Sequence, residues 1–334
     1  MEKITFRALV VEKAEDKQFL RSIRERSLDD LPVGDLVVQV HYSSLNFKDA
    51  LSATGHPGVT RQFPHTPGID AAGEVVSCTS GVFVPGDLVL ITGYDLGMET
   101  DGGFGQYIRI PSAWALKLPA GLTLREAMGL GTAGLTAALS VLKLEQAGVK
   151  PDDGDVLVTG ATGGVGILAV SILAAAGYRV VAATGKADSH EFLTRCGAAE
   201  VIPRDQVLAG AEKALLPERW VAAVDVAGGP LLAAVLKSTR YGGTVTCCGM
   251  VGSPELAVNV YPFILRGVSL IGIDSVKCPV DVRREVWHRL SAGWKPAGLD
   301  ALVVESTLSG IEEAIQNILN GKITGRVVVN LLES

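Results

Sequence analysis

The stretch VLVTGATGGVG, Val156 to Gly166, constrains the fold more than any other in this chain. A run of strand-forming residues ends in Gly160, Gly163, Gly164 and Gly166 and opens at once into the apolar run ILAVSILAAAGY. Glycine has no Cβ, so the backbone can turn tightly there and present N–H groups to a pyrophosphate at the positive end of a helix. The strand before and the helix after turn a weak glycine pattern into a dinucleotide-binding one. Around it the chain alternates. LTLREAMGLGTAGLTAALSVLKLEQAG reads as helix, RVVAATG as strand, SHEFLTRCGA as helix, and AEVIP, WVAAVDVAG, PLLAAVLKSTRYG, GTVTCCGM, YPFILRG and SLIGIDS continue the series. Repeated strand and helix units of this length predict an α/β fold with a doubly wound parallel sheet covered on both faces.

Up to about Ala120 the pattern differs. ITFRALVVE, DLVVQVHYSS, GEVVSCT, DLVLITG and GQYIRIP are β-rich and separated by Gly- and Pro-containing loops, which predicts an irregular, largely antiparallel β-domain. At 334 residues the chain exceeds what one hydrophobic core organises, so two domains are expected. The segment from Pro279 reads as helix, strand, helix and strand. Periodicity leaves open whether it extends the parallel sheet or returns to the β-domain.

Lys and Arg number 30 against 36 Asp and Glu, and a net charge of −6 gives no reason to expect nucleic acid or an anionic membrane as partner. The basic run Arg21 to Arg26 reads as a solvated face. Five scattered cysteines without a CxxC pair argue against a disulfide framework or a zinc ribbon and for a reducing compartment. The N-terminal stretch is too charged for a signal sequence, and no run reaches the ~18 apolar residues of a membrane span, so a cytoplasmic protein is expected.

Which dinucleotide binds is read from the second strand. NAD enzymes commonly end it in an acid that binds the ribose 2′-OH. Here it ends in Thr184, Gly185 and Lys186, with Arg204 just beyond the next strand. An acid would repel a 2′-phosphate, whereas hydroxyl, ammonium and guanidinium groups hold one, so NADPH is the expected cofactor. Gly163, Gly164, Val165 and Gly166 are its expected pyrophosphate contacts.

A β-domain followed by a cofactor domain carrying GATGGVG resembles the medium-chain dehydrogenase/reductase superfamily. SSLNFKDALSATG, FPHTPGIDAAG, TAGLTAALSVLKLEQAGV, VTGATGGVG, PFILRGVSLIGIDS and GKITGRVVV resemble one zinc-free branch, the acrylyl-CoA reductases or YhdH-type quinone oxidoreductases. The resemblance covers essentially the whole chain. It implies a GroES-like β-domain over residues 1–122, a Rossmann domain over 123–278, a C-terminal segment 279–334 completing the first, and NADPH in a cleft between the domains. Zinc-dependent relatives carry an early Cys ligand, a GHE motif and a four-cysteine run. This chain has Asn46-Phe47-Lys48-Asp49 and Gly68-Ile69-Asp70 at the first two places and nothing at the third. His56 and His65 share a loop region but lack a third convergent ligand.

Losing the Lewis acid favours a substrate already electrophilic toward hydride, such as a C=C bond conjugated to a carbonyl. The resemblance implies acryloyl-CoA as substrate and propanoyl-CoA as product, with a quinone or enone oxidoreductase as the alternative and a non-catalytic NADPH-binding redox sensor as a reading of another class. Asn46 and Asp70 fall where zinc ligands or their neighbours lie and are expected to face the nicotinamide and stabilise developing charge. Tyr42 and Tyr94 are candidate proton donors, Tyr94 the one chosen. The resemblance further implies cofactor contacts from Phe47, Met250, Ile264, Ser275 and Arg326, the last at the phosphates. Arg61, Lys48 and Arg283 are unranked candidates for CoA phosphates. The edge strand SLIGIDS is expected to pair with its mate in a homodimer.

Overall fold

Alternating Val, Leu and Ile in the first third of the chain build an antiparallel sheet, in a computed structural model that describes residues 4–15 and 18–333. Strands β1 (Thr5–Lys13) and β2 (Phe19–Ser27) form a hairpin of their own. Strand β2 contains the basic run expected to be a solvated face. Its cations have partners: Arg21 forks onto Glu312 at 2.7 and 2.8 Å, Arg24 pairs with Glu12, and Arg26 reaches Asp101 at 2.8 Å. Charge at Arg21, Arg24, Glu25 and Arg26 masks the alternation of this strand.

Strand β3 (Leu36–Leu45) runs into helix α1 (Phe47–Ala53), and β4 (Asp70–Cys78), β5 (Leu88–Thr92), β6 (Tyr107–Ile110) and β7 (Ala115–Lys117) follow. Leu36, Val38, Leu45, Ile91, Ile108 and Ile110 fill the core of this sheet. The long helix α2 (Leu124–Gln146) comes next, broken at Gly131 by a non-helical backbone (φ 54°, ψ −156°). By length and composition α2 is apolar enough to cross a bilayer, contrary to the expectation that no segment is, but 89% of its apolar window is buried inside the protein.

Strand and helix then alternate as expected: β8 (Asp155–Val158), α3 (Gly164–Ala175), β9 (Arg179–Thr184), α4 (His190–Arg195), β10 (Glu200–Pro203), α5 (Arg204–Leu208), β11 (Trp220–Asp225), α6 (Gly229–Ser238), β12 (Thr239–Cys247), α7 (Tyr261–Arg266), β13 (Ser269–Gly272) and α8 (Val280–Leu290). The six strands are parallel in the order β10-β9-β8-β11-β12-β13. Chain order reverses between β8 and β11, the switch point at which doubly wound sheets bind ligands.

The chain ends in β14 (Val303–Thr307), α9 (Ile311–Leu319) and β15 (Arg326–Asn330). Strand β15 lies between β14, to which it is parallel, and β3, to which it is antiparallel, so this segment returns to the first sheet. Two compact units result, Met1–Thr132 with Leu299–Ser334, and Ala133–Gly298. The boundaries lie later than the expected 122 and 278 for identifiable reasons. Thr132 is bonded to Asp70 of the first sheet. Helix α8 is tied to the second unit through Arg283, which donates to the carbonyls of Ser275 and Val276, and Arg289, which pairs with Glu145 at 2.7 Å.

Candidate functional site: a dinucleotide cradle and a buried polar network

The glycine turn closes β8 and opens α3. A Cβ at Gly166 would lie 2.2 Å from the Gly160 carbonyl oxygen, so glycine is needed there for the helix to approach the turn. At Gly163 the nearest atom to such a Cβ is 3.5 Å away, so this position leaves the face of the turn open rather than packed. Gly163 is the N-cap of α3 and is exposed, Gly164 and Val165 are half-buried, and no side chain caps the helix. The first N–H groups of a helix have no intrahelical acceptor. An open glycine turn under an uncapped helix start suits a pyrophosphate.

At the tip of β9, Thr184 is paired in register with Pro203, which brings Arg204 beside it. A Cβ on Gly185 would touch the Arg204 guanidinium at 3.6 Å, and the Lys186 N–H donates to the Thr184 hydroxyl at 3.1 Å. Thr184, Gly185, Lys186 and Arg204 thus share one corner. Lys186 is half-buried, and burial lowers its ammonium pKa. Arg204 is exposed, with a 3.8 Å contact to Asp205. Met250 and Ile264 are 70% and 69% exposed on the same unit. The Ser275 hydroxyl is buried and accepts from Thr136 at 2.9 Å.

In the other unit a fully buried carboxylate organises a second constellation. Asp70, the first residue of β4, accepts from the Ser44 hydroxyl at 2.6 Å, Asn46 Nδ2 at 2.8 Å, the Thr132 hydroxyl at 2.6 Å, and the Thr132 N–H, which is shared by both its oxygens. Arg326, 3% exposed, donates to the carbonyls of Gly129 and Leu45, to Asn46 Oδ1 at 3.2 Å and to Ser44 Oγ at 2.9 Å. Asp49 accepts from the N–H groups of Asn46 and Ile69. Burial, and then Asp70, pushes the Asp49 carboxyl up to about 7. With Asp49 protonated, one carboxylate faces one guanidinium, which is how buried charge becomes tolerable.

This geometry changes several expectations. Asn46 and Asp70, expected to face the nicotinamide, direct their polar atoms at each other, at Ser44, Thr132 and Arg326, so they form a brace. Arg326, expected at cofactor phosphates, lies inside that brace with its donors committed. Arg283, a candidate for CoA phosphates, is 1% exposed and holds carbonyls. His65 is buried with Nε2 on the Gly97 carbonyl at 3.0 Å, while His56 is exposed. Phe47 opens α1 and is 43% exposed. Tyr94 stacks on Trp114, with centroids 5.5 Å apart and planes 4° apart, and has a left-handed backbone (φ 55°) rare outside glycine. Tyr42 lies on β3 opposite Ala72 and Asn330.

Ser44, Asp49, Gly131 and Thr132 were missed by sequence reasoning. One signal was available: a glycine inside a helical run marks close approach of another group. At Gly131 a Cβ would fall 2.5 Å from Asp70 Oδ2 and 2.7 Å from Ser44 Oγ. Among the described residues no group of three or more His, Cys, Asp or Glu is placed to hold a metal ion.

Comparison with known proteins agrees with both units. Residues 32–120 match the model of the alcohol dehydrogenase GroES-like domain, and residues 164–292 that of the zinc-binding dehydrogenases. The acrylyl-CoA reductase AcuI of Ruegeria pomeroyi is 42% identical over 98% of this chain and 99% of its own. The crystal structure of Bacillus subtilis YhfP with NAD bound superposes with a TM-score of 0.96 at 47% identity, covering 98% of this chain and 100% of that one. Escherichia coli YhdH with bound NADPH gives 0.93 at 42% identity, covering 97% and 99%.

Proposed function

Because this chain belongs to the acrylyl-CoA reductase (YhdH-type) branch of the zinc-free medium-chain dehydrogenase/reductases, we propose that it reduces an activated C=C bond with NADPH, acryloyl-CoA to propanoyl-CoA being the first-choice reaction. The observation that carries the cofactor choice is the basic corner at the tip of β9 beside an open glycine turn. When bound, the nicotinamide supplies a hydride. Gly163 to Gly166 would hold its pyrophosphate, and Thr184, Lys186 and Arg204 the 2′-phosphate, with Met250 and Ile264 as apolar neighbours of the ring. That one relative was crystallised with NAD and another with NADPH makes this corner the deciding feature.

The brace around Asp70 fixes the backbone of α1 and the break in α2 without reacting itself. Protonation of the substrate α-carbon is assigned to Tyr94, whose strained backbone is of the kind retained at functional sites. Lys48 and Arg61 are the cations left for CoA phosphates once Arg283 is recognised as interior. The reading places the protein in the cytoplasm as a homodimer, its edge strand β13 pairing with the same strand of a second copy. Support for the pairing comes from β13 ending the six-stranded sheet among the described residues and from the exposed Leu265 on the preceding helix.

The test is a panel of NADPH and NADH oxidation with acryloyl-CoA, crotonyl-CoA and a benzoquinone. Acryloyl-CoA with NADPH should be the fastest pair. Oxidation with acryloyl-CoA no faster than with the quinone would move the assignment to a quinone or enone reductase. Binding of NADPH with no turnover of any activated alkene would identify a redox sensor.

A further inference from the structure

One buried carboxylate in the nucleotide-binding unit has no task in the account above. Asp225, the last residue of β11, is fully buried and stands where strand order reverses. Its Oδ1 accepts the Thr159 hydroxyl at 2.7 Å, and its Oδ2 accepts the Gly228 N–H at 2.7 Å. Thr159 is the first residue after β8 and leads into the glycine turn. Its own oxygen accepts the Val226 N–H at 3.1 Å, and its N–H donates to the Val224 carbonyl at 3.1 Å. The Asp225 carbonyl in turn accepts the Cys248 N–H at 3.0 Å.

We propose that Asp225 and Thr159 are a positioning pair for the dinucleotide, setting the spacing between the glycine turn after β8 and the loops after β11 and β12. The inference rests on the NADPH reading above. Three loops meet at this pair with almost no slack. A Cβ at Gly160 would lie 2.7 Å from a Val226 methyl, and one at Gly249 would lie 1.9 Å from the Val226 carbonyl oxygen. The Gly252 N–H donates to the Ala227 carbonyl at 2.8 Å, and Gly228 is bridged to Ser253. Moving Asp225 therefore moves the turn that faces the pyrophosphate and the loop that carries Met250 relative to each other.

Scaffold needs alone do not explain a carboxylate here. Burying one is costly unless its oxygens accept hydrogen bonds, and burial does push the Asp225 carboxyl upward. An apolar residue would fill the space without that cost, but it would not join a hydroxyl on one loop to an N–H on another. Neither residue need touch the reacting atoms. The pair fixes the distance between two groups of residues that do touch the cofactor.

Thr159→Val keeps shape and removes the hydroxyl, Thr159→Ser keeps the hydroxyl, and Asp225→Asn removes the charge. NADPH dissociation constants are read by nucleotide fluorescence without substrate, beside the melting temperature. Thr159→Val and Asp225→Asn should weaken NADPH about tenfold, the equivalent of one buried hydrogen bond, while Thr159→Ser stays within about twofold of wild type. NADPH binding unchanged in Thr159→Val overturns the proposal, as does a fall in melting temperature with binding unchanged. Failure of both Thr159 variants to fold would show a scaffold role and also overturn it. If wild type binds neither NADPH nor NADH, the cofactor reading itself falls and takes this inference with it.

Discussion

Gly131→Ala separates local preference from tertiary demand, because the two predict opposite signs. Gly131 lies inside the helical run of α2, where alanine is the better residue by about 1 kcal/mol, so helix propensity alone predicts stabilisation. The structure predicts the reverse. At φ 54° and ψ −156° the backbone is in a region essentially reserved for glycine, and forcing a side chain into it costs about 1–3 kcal/mol. The added methyl would also sit 2.5 Å from Asp70 Oδ2, 2.7 Å from Ser44 Oγ and 3.0 Å from Arg326 Nη2, well inside contact distance. To make room the brace must open, and one charged hydrogen bond lost from it costs about 1.5–3 kcal/mol. Together these give roughly 2.5–6 kcal/mol of destabilisation in the unit that contains Asp70. That corresponds to a guanidinium midpoint lower by about 1 M, or a melting temperature lower by on the order of 10 °C. Two units need not unfold together, so hydrogen exchange resolved by peptide should accompany the denaturation curve. Gly321→Ala is the control: its φ of 64° is also left-handed, but no atom lies within 4 Å of the added carbon. A Gly131→Ala protein as stable as wild type, or no less stable than Gly321→Ala, refutes the reasoning.

Three further outcomes are expected. Lys186→Ala should weaken NADPH by about tenfold or more and leave NADH little changed, since it removes a cation from the 2′-phosphate corner; equal losses for both nucleotides in a binding titration would remove that role. Asp49 has a carboxyl value raised above the ~3.9 of an unfolded chain, so the folded state holds a proton that the unfolded state releases. Its contribution to stability is full below about pH 4 and is lost as pH rises toward 7, so Asp49→Asn should flatten that part of the stability profile; an unchanged slope in denaturation curves at pH 5 and 8 speaks against it. Arg326→Leu leaves Asp70 buried without its counter-charge and should cost about 3–5 kcal/mol in the same unfolding assay, whereas a cost below about 1 kcal/mol would show that the guanidinium does not balance it.

The parallel unit was legible because its strands are buried on both faces and read as apolar runs, and because the glycine turn needs a residue type that little else tolerates. Strand β2 was not, since its alternation is masked by cations whose acidic partners, Glu312 and Asp101, are remote in sequence. The membership of α8 was misread because what holds it is Arg283 on carbonyls and Arg289 on Glu145, and a charged helix looks the same whether or not its cations point inward. The same limit applies at the site. Asn46, Asp70 and Arg326 stand out in the sequence as polar residues in apolar surroundings, but sequence shows residue type without burial, and it is burial that turns their polar atoms onto one another as a brace. Asp49 and Thr132 depend wholly on distances across the fold.

Strand β15 has a consequence for how the chain matures. Ser44 and the guanidinium it meets are 282 residues apart; β6 pairs with the Leu36–Gln39 part of β3, but its Tyr42–Leu45 end must wait for β15. At a synthesis rate of ~5–20 residues per second that wait lasts roughly 15–55 s. Asp70 meets this guanidinium only at the end of that wait, whereas the nucleotide-binding unit, one continuous stretch from Ala133 to Gly298, has all six strands of its own sheet once the chain has passed Gly272. Sheet completion thus runs against chain order: the middle unit can settle before the Tyr42–Leu45 end of β3 finds its partner.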